Sequence, residues 1–503
     1  MTKDHYDIVI IGSGMGGLVC GDVLSKEGYS VCVLEKNKQI GGCLQTYVRD
    51  KVIFDSGVHY LGGLDKGQNL YQVFKYLDIL DKLKLQKMGE VFDKIIVEND
   101  DKEYAFAQGY DNFISTLLVD FPEEEKGLQQ YCEKIKEVCS KFPLYNLRSG
   151  GGFAEKLDVL EIDTRSFVES VTSNKKLQEV LVGNNMLYAG QPGKTPFYVH
   201  AMIMNSYIES SWKCVDGGSQ IGKLMAANIH RRGGIVQRNC AVNKIVVEDG
   251  KVTHVVTDRG TKIYGKQFIS NIHPAKTLEI TETDLIKNAF RNRIKNLENS
   301  ISTFTLNIIF KEGAFKYSPC NYYYFREGEV WTMADYNEEN WPLGYVIFFT
   351  ADKTKKFAAA MTVLAYMRYD EVKKWESTFN TVSDMVDRGE DYDIFKKAKA
   401  EKLIDCVEEK FPGVRQSIKK YYTATPLSYR DYIGNDDGSM YGIVKDYKEP
   451  VKTLISPRTK LPNLYFTGQN LNLHGILGAA MSGLVTCINL MGNESIVEKI
   501  KNA

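Results

Sequence analysis

Hydrophobic and polar positions change period several times along this chain, and each change predicts an element. Residues 6–11 (YDIVII) read as a short apolar strand, as expected for a parallel strand buried on both faces. Glycines at 12–17 break it. From 15 to 27, apolar Val19, Cys20, Val23 and Leu24 recur at helical spacing, set against Asp22, Lys26 and Glu27, with Gly28 placed to cap the helix. Residues 30–34 (SVCVL) return to a strand, so one βαβ unit accounts for the first 35 residues. Residues 122–142 predict a charged amphipathic helix with Ile135, Val138, Cys139 and Phe142 inward, its N-terminus favoured by Glu123, Glu124 and Glu125. Ile221, Leu224, Met225 and Ile229 predict another helix, which Gly233-Gly234 ends. Strands follow at 242–248, 251–257 and 261–270, joined by turns at Asp249-Gly250 and Arg259-Gly260. Residues 281–425 alternate helices with strands such as 303–310 and 345–349. The segment 464–491 reads as strand, glycine-punctuated turn and a helix of small residues.

Three blocks, at 5–60, 213–273 and 460–495, have nucleotide-binding character, and two blocks without it separate them. The expected fold class is α/β. A discontinuous Rossmann-type domain comes from residues 1–75, 213–280 and 455–503, and an α+β substrate domain is inserted from 76–212 and 281–454. Charge narrows the partners: 64 Lys+Arg balance 64 Asp+Glu, and no long basic block exists, which argues against nucleic acid. No apolar run approaches a membrane-spanning length, residues 358–367 being about half of one. The first residues enter a strand too soon for a signal peptide. Ten cysteines are scattered without a CxxC pair, and Cys132 and Cys139 stand two helical turns apart, so a reduced, cytoplasmic compartment is expected. The seven histidines show no metal-ligand spacing, and no metal site is expected.

The glycine segment carries the chemistry. Gly12, Ser13, Gly14, Met15, Gly16 and Gly17 satisfy GxGxxG between a predicted strand and helix, and Glu35 ends the next strand, followed by Lys36. Gly12 permits the tight turn, Gly14 lets the backbone approach a pyrophosphate, and Gly17 lets helix and strand pack closely. Glu35 can accept hydrogen bonds from a ribose diol, which favours NAD or FAD over a 2′-phosphate. Gly41, Gly42, Cys43, Leu44, Gln45 and Thr46 bring a second flexible backbone stretch behind the acid. FDSGVHY at 54–60 continues it, as a cofactor lying extended through the protein requires. At the far end Thr467, Gly468 and Gln469 lead to Gly475 and Gly478 and a helix whose N-terminus could stabilise negative charge on a flavin ring.

Five segments resemble one family, the FAD-dependent phytoene desaturase, carotenoid isomerase and retinol saturase superfamily, and more distantly the amine oxidases. They are FDSGVHYLGG (54–63), PFYVHAMIMNSYIE (196–209), GGSQIGKLMAANIHRRGG (217–234), ATPLSYRDYIGNDDGSMYG (424–442) and YFTGQNLNLHGILGAAMSG (465–483). The retinol saturases are the branch the motifs resemble most. The resemblance implies FAD held by Gly12, Gly14, Gly17, Glu35, Gly42 and Thr46. It also implies an adenine contact through the Val242 backbone, and Gly468, Leu477 and Gly478 along the ribityl chain and ring. Relatives often carry an aromatic-Pro-x-Gly-Gly segment before the 217–234 helix; here the chain reads Trp212-Lys213-Cys214-Val215-Asp216-Gly217-Gly218.

The resemblance implies a FAD-dependent oxidoreductase acting on a long apolar polyene or isoprenoid. Saturation of a carbon–carbon double bond is the first expectation, cis–trans isomerisation the second and desaturation the third. A different class stays open, an isoprenoid carrier of the Rab-escort and GDP-dissociation-inhibitor fold. His59 and His474 stand in motifs near the expected ring, where each could donate a proton, orient the flavin or simply satisfy buried backbone. His200 is expected to pack, as are the tyrosines of 322–325 and, in the flavin loop, Cys43. An apolar substrate implies peripheral contact with a bilayer through a modest patch in 70–150 or 280–400. No second GxGxxG occurs, so the electron donor or acceptor is unassigned.

Overall fold

A computed structural model describes residues 5–383 and 385–503. Its first sheet is built around β1 (His5–Ile11), where Ile8, Val9 and Ile10 are fully buried, as expected of a parallel strand covered on both faces. On one side lies β2 (Val31–Leu34), on the other Lys262–Ser270, both parallel to it. Ile235–Gln237 extends the sheet beyond β2, and Leu464–Phe466 pairs in parallel with the end of Lys262–Ser270. The antiparallel hairpin of Val242–Glu248 and Lys251–Thr257 hangs from the start of Lys262–Ser270. Its turn places Asp249 at φ 49° and Gly250 at φ 79°, the left-handed pair that a two-residue turn needs to match strand twist.

Between β1 and β2 runs α1 (Met15–Lys26), followed by Gly28 at φ 92°. The sequence pattern set Asp22 on a polar face, but in the structure it is fully buried. The reason is that α1 is enclosed by the sheet and by the helices Ser219–Arg231 and Gly475–Met491, which leave it no solvent face. A buried carboxylate must be paired. Arg232 forms an ion pair with Asp22, and Asn228 Nδ2 donates to it at 2.9 Å.

The second sheet runs in the order Ile418–Ala424, Ser302–Phe310, Ala358–Met367, Gly344–Ala351, Asn321–Phe325, Val91–Val97 and Glu103–Ala107. All neighbours are antiparallel except Asn321–Phe325 and Val91–Val97. The apolar run at 358–367 is therefore a sheet strand, and the tyrosine-rich 322–325 is a strand wholly inside the core. The helices Glu125–Ser140 and Phe197–Glu209 pack on each other in the same core; Ile135, Val138 and Cys139 point inward, while Phe142 lies beyond the helix end, half-buried. The strands Leu61–Gly62, Ser211–Cys214 and Leu85–Lys87 form a small sheet where the chain passes between the two large ones. Among the described residues no helix is long and apolar enough to cross a membrane, and no His, Cys, Asp and Glu side chains converge on a metal position. All ten cysteines are free.

Candidate active site

Parallel strands present their carboxyl ends at one edge of the first sheet, and a cavity of about 390 Å³ opens there. Gly12, Ser13, Gly14, Met15 and Gly16 form one wall, Glu35 and Lys36 the second, and Gly41, Gly42, Cys43 and Leu44 the third. His59, Val242, Gly468 and Gln469 line it as well, so stretches far apart in the sequence meet. The glycines make that meeting possible. A β-carbon on Gly16 would stand 2.8 Å from Gly468 Cα, and one on Gly42 would stand 3.2 Å from Gly14 Cα. Glu35 Oε2 accepts from Ser13 N at 3.0 Å and from Ser13 Oγ at 2.5 Å, while Oε1 accepts from Asn37 N at 2.8 Å. The acid is thereby fixed at the mouth of the glycine turn.

Other expected positions lie outside the wall. Gly17 faces β1, where an added β-carbon would meet Gly12 O at 2.2 Å, so its place is in the helix–strand packing. Thr46 Oγ1 donates to Ser219 Oγ at 3.0 Å, away from the cavity. Leu477 and Gly478 are turned aside because the helix Gly475–Met491 presents Gly475, Ile476 and Ala479, a three-to-four-residue spacing, to the cavity instead.

The histidines are pinned. His59 stacks on Phe348 with ring centroids 4.1 Å apart, and burial, reinforced by the charge of Lys213, brings its pKa down to about 3. His474 Nε2 donates to Leu187 O at 2.9 Å and its ring stacks on Tyr441; burial brings its pKa to about 4. Both imidazoles are thus neutral near pH 7, and neither is an imidazolium poised to give up a proton. His200 is held between the hydroxyls of Tyr131 and Tyr188 at 2.7 and 2.8 Å. Burial pushes the Cys43 thiol up to about 11, which leaves it a protonated wall residue.

Sequence reasoning missed Asn271. Its N–H donates to Ile11 O at 2.8 Å, and its side chain stands among Gly14, Gly16, Gly17 and Gly468 with a buried Oδ1 that has no partner. Its signal was positional: it is the first residue past Lys262–Ser270, the strand beside β1, at the edge where ligands of such sheets bind. Also missed was a second, smaller chamber of about 60 Å³ that shares Gly57, His59, Leu364, Met440 and Tyr441 with the first and is otherwise lined by side chains such as Tyr60, Tyr323 and Phe348.

A family model of NAD(P)-binding Rossmann-like domains matches residues 10–77. All-trans-retinol 13,14-reductase of Danio rerio is 25% identical over 98% of this chain and 87% of its own length; the Homo sapiens protein of that name is 26% identical over 100% and 88%. The chain resembles the retinol saturases from end to end. A prolycopene isomerase of Daucus carota is 24% identical over 98% of this chain and 81% of its own. Two solved structures share the fold of this retinol saturase-like chain: an oxidoreductase from Methanosarcina mazei (TM-score 0.64, 16% identity, 97% and 100% of the two chains) and putrescine oxidase with bound putrescine (TM-score 0.65, 12% identity, 97% and 99%). The start of the first sheet and the glycine wall of its cavity accordingly belong to a dinucleotide-binding Rossmann-like unit, set in an overall α/β fold that putrescine oxidase shares.

Proposed function

We propose that this chain is a FAD-dependent oxidoreductase that adds two hydrogens across a carbon–carbon double bond of a long apolar polyene or isoprenoid. The observation that carries this reading is the shared wall of the two chambers, a nucleotide-sized cavity opening onto an aromatic one. The end-to-end likeness to retinol 13,14-reductases supports it.

The residues present fit FAD. The unpaired Asn271 amide can turn either its oxygen or its nitrogen to a ligand, and it stands where glycines let backbone N–H groups approach a pyrophosphate. Glu35 would hold the adenosine ribose diol, with the Val242 backbone by the adenine. Gly468, Gln469 and the N-terminus of Gly475–Met491 would lie along the ring. Bound there, FAD would supply hydride-transfer chemistry. The residues of 1–75, 213–280 and 455–503 serve the cofactor in this reading, and those of 76–212 and 281–454 form the substrate half. Leu364, Met440 and Tyr441 on the shared wall, with Phe348 in the smaller chamber beside it, give an apolar and aromatic lining that suits a polyene. The intact wall at 468–479 also favours a flavoenzyme over an isoprenoid carrier.

Delivery of such a substrate from a bilayer is part of the proposal. Phe379, Val382, Met385 and Val386 are exposed within eight residues, Val382 at 66% and Met385 at 79%, in the 280–400 region where the patch was expected.

The test is anaerobic. Purified protein is reduced chemically, given all-trans-retinol and a set of carotenoids, and the products are weighed. A product heavier by two hydrogens with the flavin reoxidised is the expected result. Unchanged mass with altered retention makes the protein an isomerase, the second reading, which the likeness to prolycopene isomerases favours. A colourless protein that binds no FAD sinks both.

A further inference from the structure

Asp93 is fully buried in Val91–Val97, away from the glycine-walled cavity. Its Oδ1 accepts from Asn321 Nδ2 at 2.9 Å; its Oδ2 accepts from Tyr60 Oη at 2.9 Å and Asn184 Nδ2 at 3.3 Å. Tyr60 Oη lies 2.8 Å from Tyr323 Oη, and both tyrosines line the smaller chamber. A carboxyl group is therefore wired through two hydroxyls to a chamber whose other walls are mainly aromatic and aliphatic, with His59 and Thr303 among them. That arrangement is expensive to bury, and a single apolar residue in place of Asp93 would avoid the cost.

The direction of the wire depends on the proton of Asp93. As a carboxylate, Asp93 can only accept, so Tyr60 donates to it, Tyr323 donates to Tyr60, and Tyr323 offers the chamber only a lone pair. As a carboxylic acid, Asp93 can donate to Tyr60 and Tyr60 to Tyr323, and the Tyr323 O–H is released toward the chamber.

We propose that Tyr323 gives the proton to the substrate carbon, and that Asp93 resupplies it through Tyr60. This rests on the reduction proposed above, in which the reduced flavin is the hydride source. Saturating a double bond needs one hydride and one proton. The hydride forms the first C–H bond and leaves the π electron pair on the neighbouring carbon. That pair takes the Tyr323 proton, so the second C–H bond forms as the Tyr323 O–H bond breaks. Tyr323 regains a proton from Tyr60, and Tyr60 from Asp93. Asp93 ends as the carboxylate that accepts from Tyr60, and solvent returns its proton between turnovers.

The electrostatics of the buried groups agree with that order. Burial pushes the Asp93 carboxyl up to about 6, against the opposing effects of Asn321, Tyr60, Asn184 and the charge of Lys213, so it can reload near neutrality. Burial also holds Tyr60, Tyr207 and Tyr323 well above the ordinary phenol value, so the hydroxyls facing Asp93 keep their protons. Lys213, whose buried Nζ has no hydrogen-bond partner, is the one cation among the groups acting on Asp93, and His59 beside the chamber is neutral.

Wild type, Tyr323→Phe and Asp93→Asn are purified with flavin, reduced anaerobically and mixed with all-trans-retinol in a single turnover across a range of pH. The wild-type rate is expected to fall as pH rises through about 6. Tyr323→Phe should lose roughly 10²–10⁴-fold while flavin content and retinol affinity of the oxidised protein are kept. Asp93→Asn should slow turnover and abolish the limb at 6. Isotope-edited infrared titration of the apoprotein reads the network without turnover: an aspartic acid band that titrates near 6, is missing in Asp93→Asn and is displaced in Tyr323→Phe. Wild-type turnover with an unimpaired Tyr323→Phe overturns the proton route alone, as does an Asp93 band in the ordinary carboxylate range that ignores Tyr323→Phe. A wild type that holds no flavin or leaves retinol unchanged overturns the proposed function, and this inference with it.

Discussion

Gly14 and Gly17 stand three residues apart in one motif, yet alanine at each should fail differently. At Gly17 the added carbon would sit 2.2 Å from Gly12 O, a backbone atom that cannot swing away, and within 3.3 Å of two Asn271 atoms. Restoring an ordinary contact of at least 3.4 Å means withdrawing α1 from β1 by about 1 Å. Overpacking of this kind costs about 1–3 kcal/mol, whereas Gly→Ala inside a helix returns at most about 1 kcal/mol, so the clash wins. At Gly14 the backbone (φ −63°, ψ 174°) suits alanine, and the nearest atom is the far end of a side chain, Asn271 Nδ2 at 2.7 Å. The fold should tolerate Gly14→Ala within about 0.5 kcal/mol. Its methyl group, however, occupies the face a pyrophosphate must approach, and FAD affinity should fall at least about tenfold, or about 1.4 kcal/mol. The assay is paired: chemical unfolding of each apoprotein followed by circular dichroism, and titration with FAD followed by flavin fluorescence. Gly17→Ala should lose stability first, Gly14→Ala affinity alone. Wild-type FAD binding by Gly14→Ala, or an apoprotein of Gly17→Ala as stable as wild type, would refute the reasoning.

Asp93 gives a pH dependence whose sign is fixed. Its folded pKa of about 6 lies above the ordinary 3.8, so its burial penalty is absent at acid pH, grows between those values and is fully present above 6. The penalty is on the order of 3 kcal/mol, and Asp93→Asn should remove that part of the decline when apoprotein stability is measured from acid to neutral pH. Arg232→Ala strands the buried Asp22 and should cost about 3–5 kcal/mol in chemical unfolding, a much larger loss than truncating an exposed lysine such as Lys75, which pairs with Asp81. In liposome flotation, Val382→Asp with Met385→Asp should move protein from the floating to the soluble fraction while FAD binding is unchanged; equal flotation would dismiss the patch. Because the Cys43 thiol is held protonated, denaturation should release all the flavin, and a flavin-labelled peptide containing Cys43 would contradict that.

Local signals were legible where one short segment does a whole job. The run at 6–11, the glycines after it and Glu35 each declare a strand, a turn and an acid within 30 residues, and the cavity is built on them. Positions defined by long-range pairing were not legible. Asn271 has the same appearance as any polar residue after a strand until β1 is known to be its neighbour. Asp22 looked solvated because helical spacing says which residues share a face but not how many faces will be covered. Leu477 and Gly478 missed the wall because a rotation of 100° per residue separates them from Ile476 and Ala479, and the sequence does not give the helix's angle about its own axis. Tyr60, Asp93 and Tyr323 come together across more than 260 residues through a parallel pairing of Val91–Val97 with Asn321–Phe325 that no periodicity announces.

The strand order of the first sheet also sets a timetable. β1 is made more than 250 residues before its parallel neighbour Lys262–Ser270, and Leu464–Phe466 follows later still. Until then the apolar β1 and α1 have no completed sheet to enter. The glycine turn made early is finished by Gly468 and Gly475, made late. A nascent chain must therefore keep β1 soluble while the residues up to Lys262–Ser270 are made. Chaperone dependence should accordingly be decided after Leu464–Phe466 has been made rather than when β1 emerges.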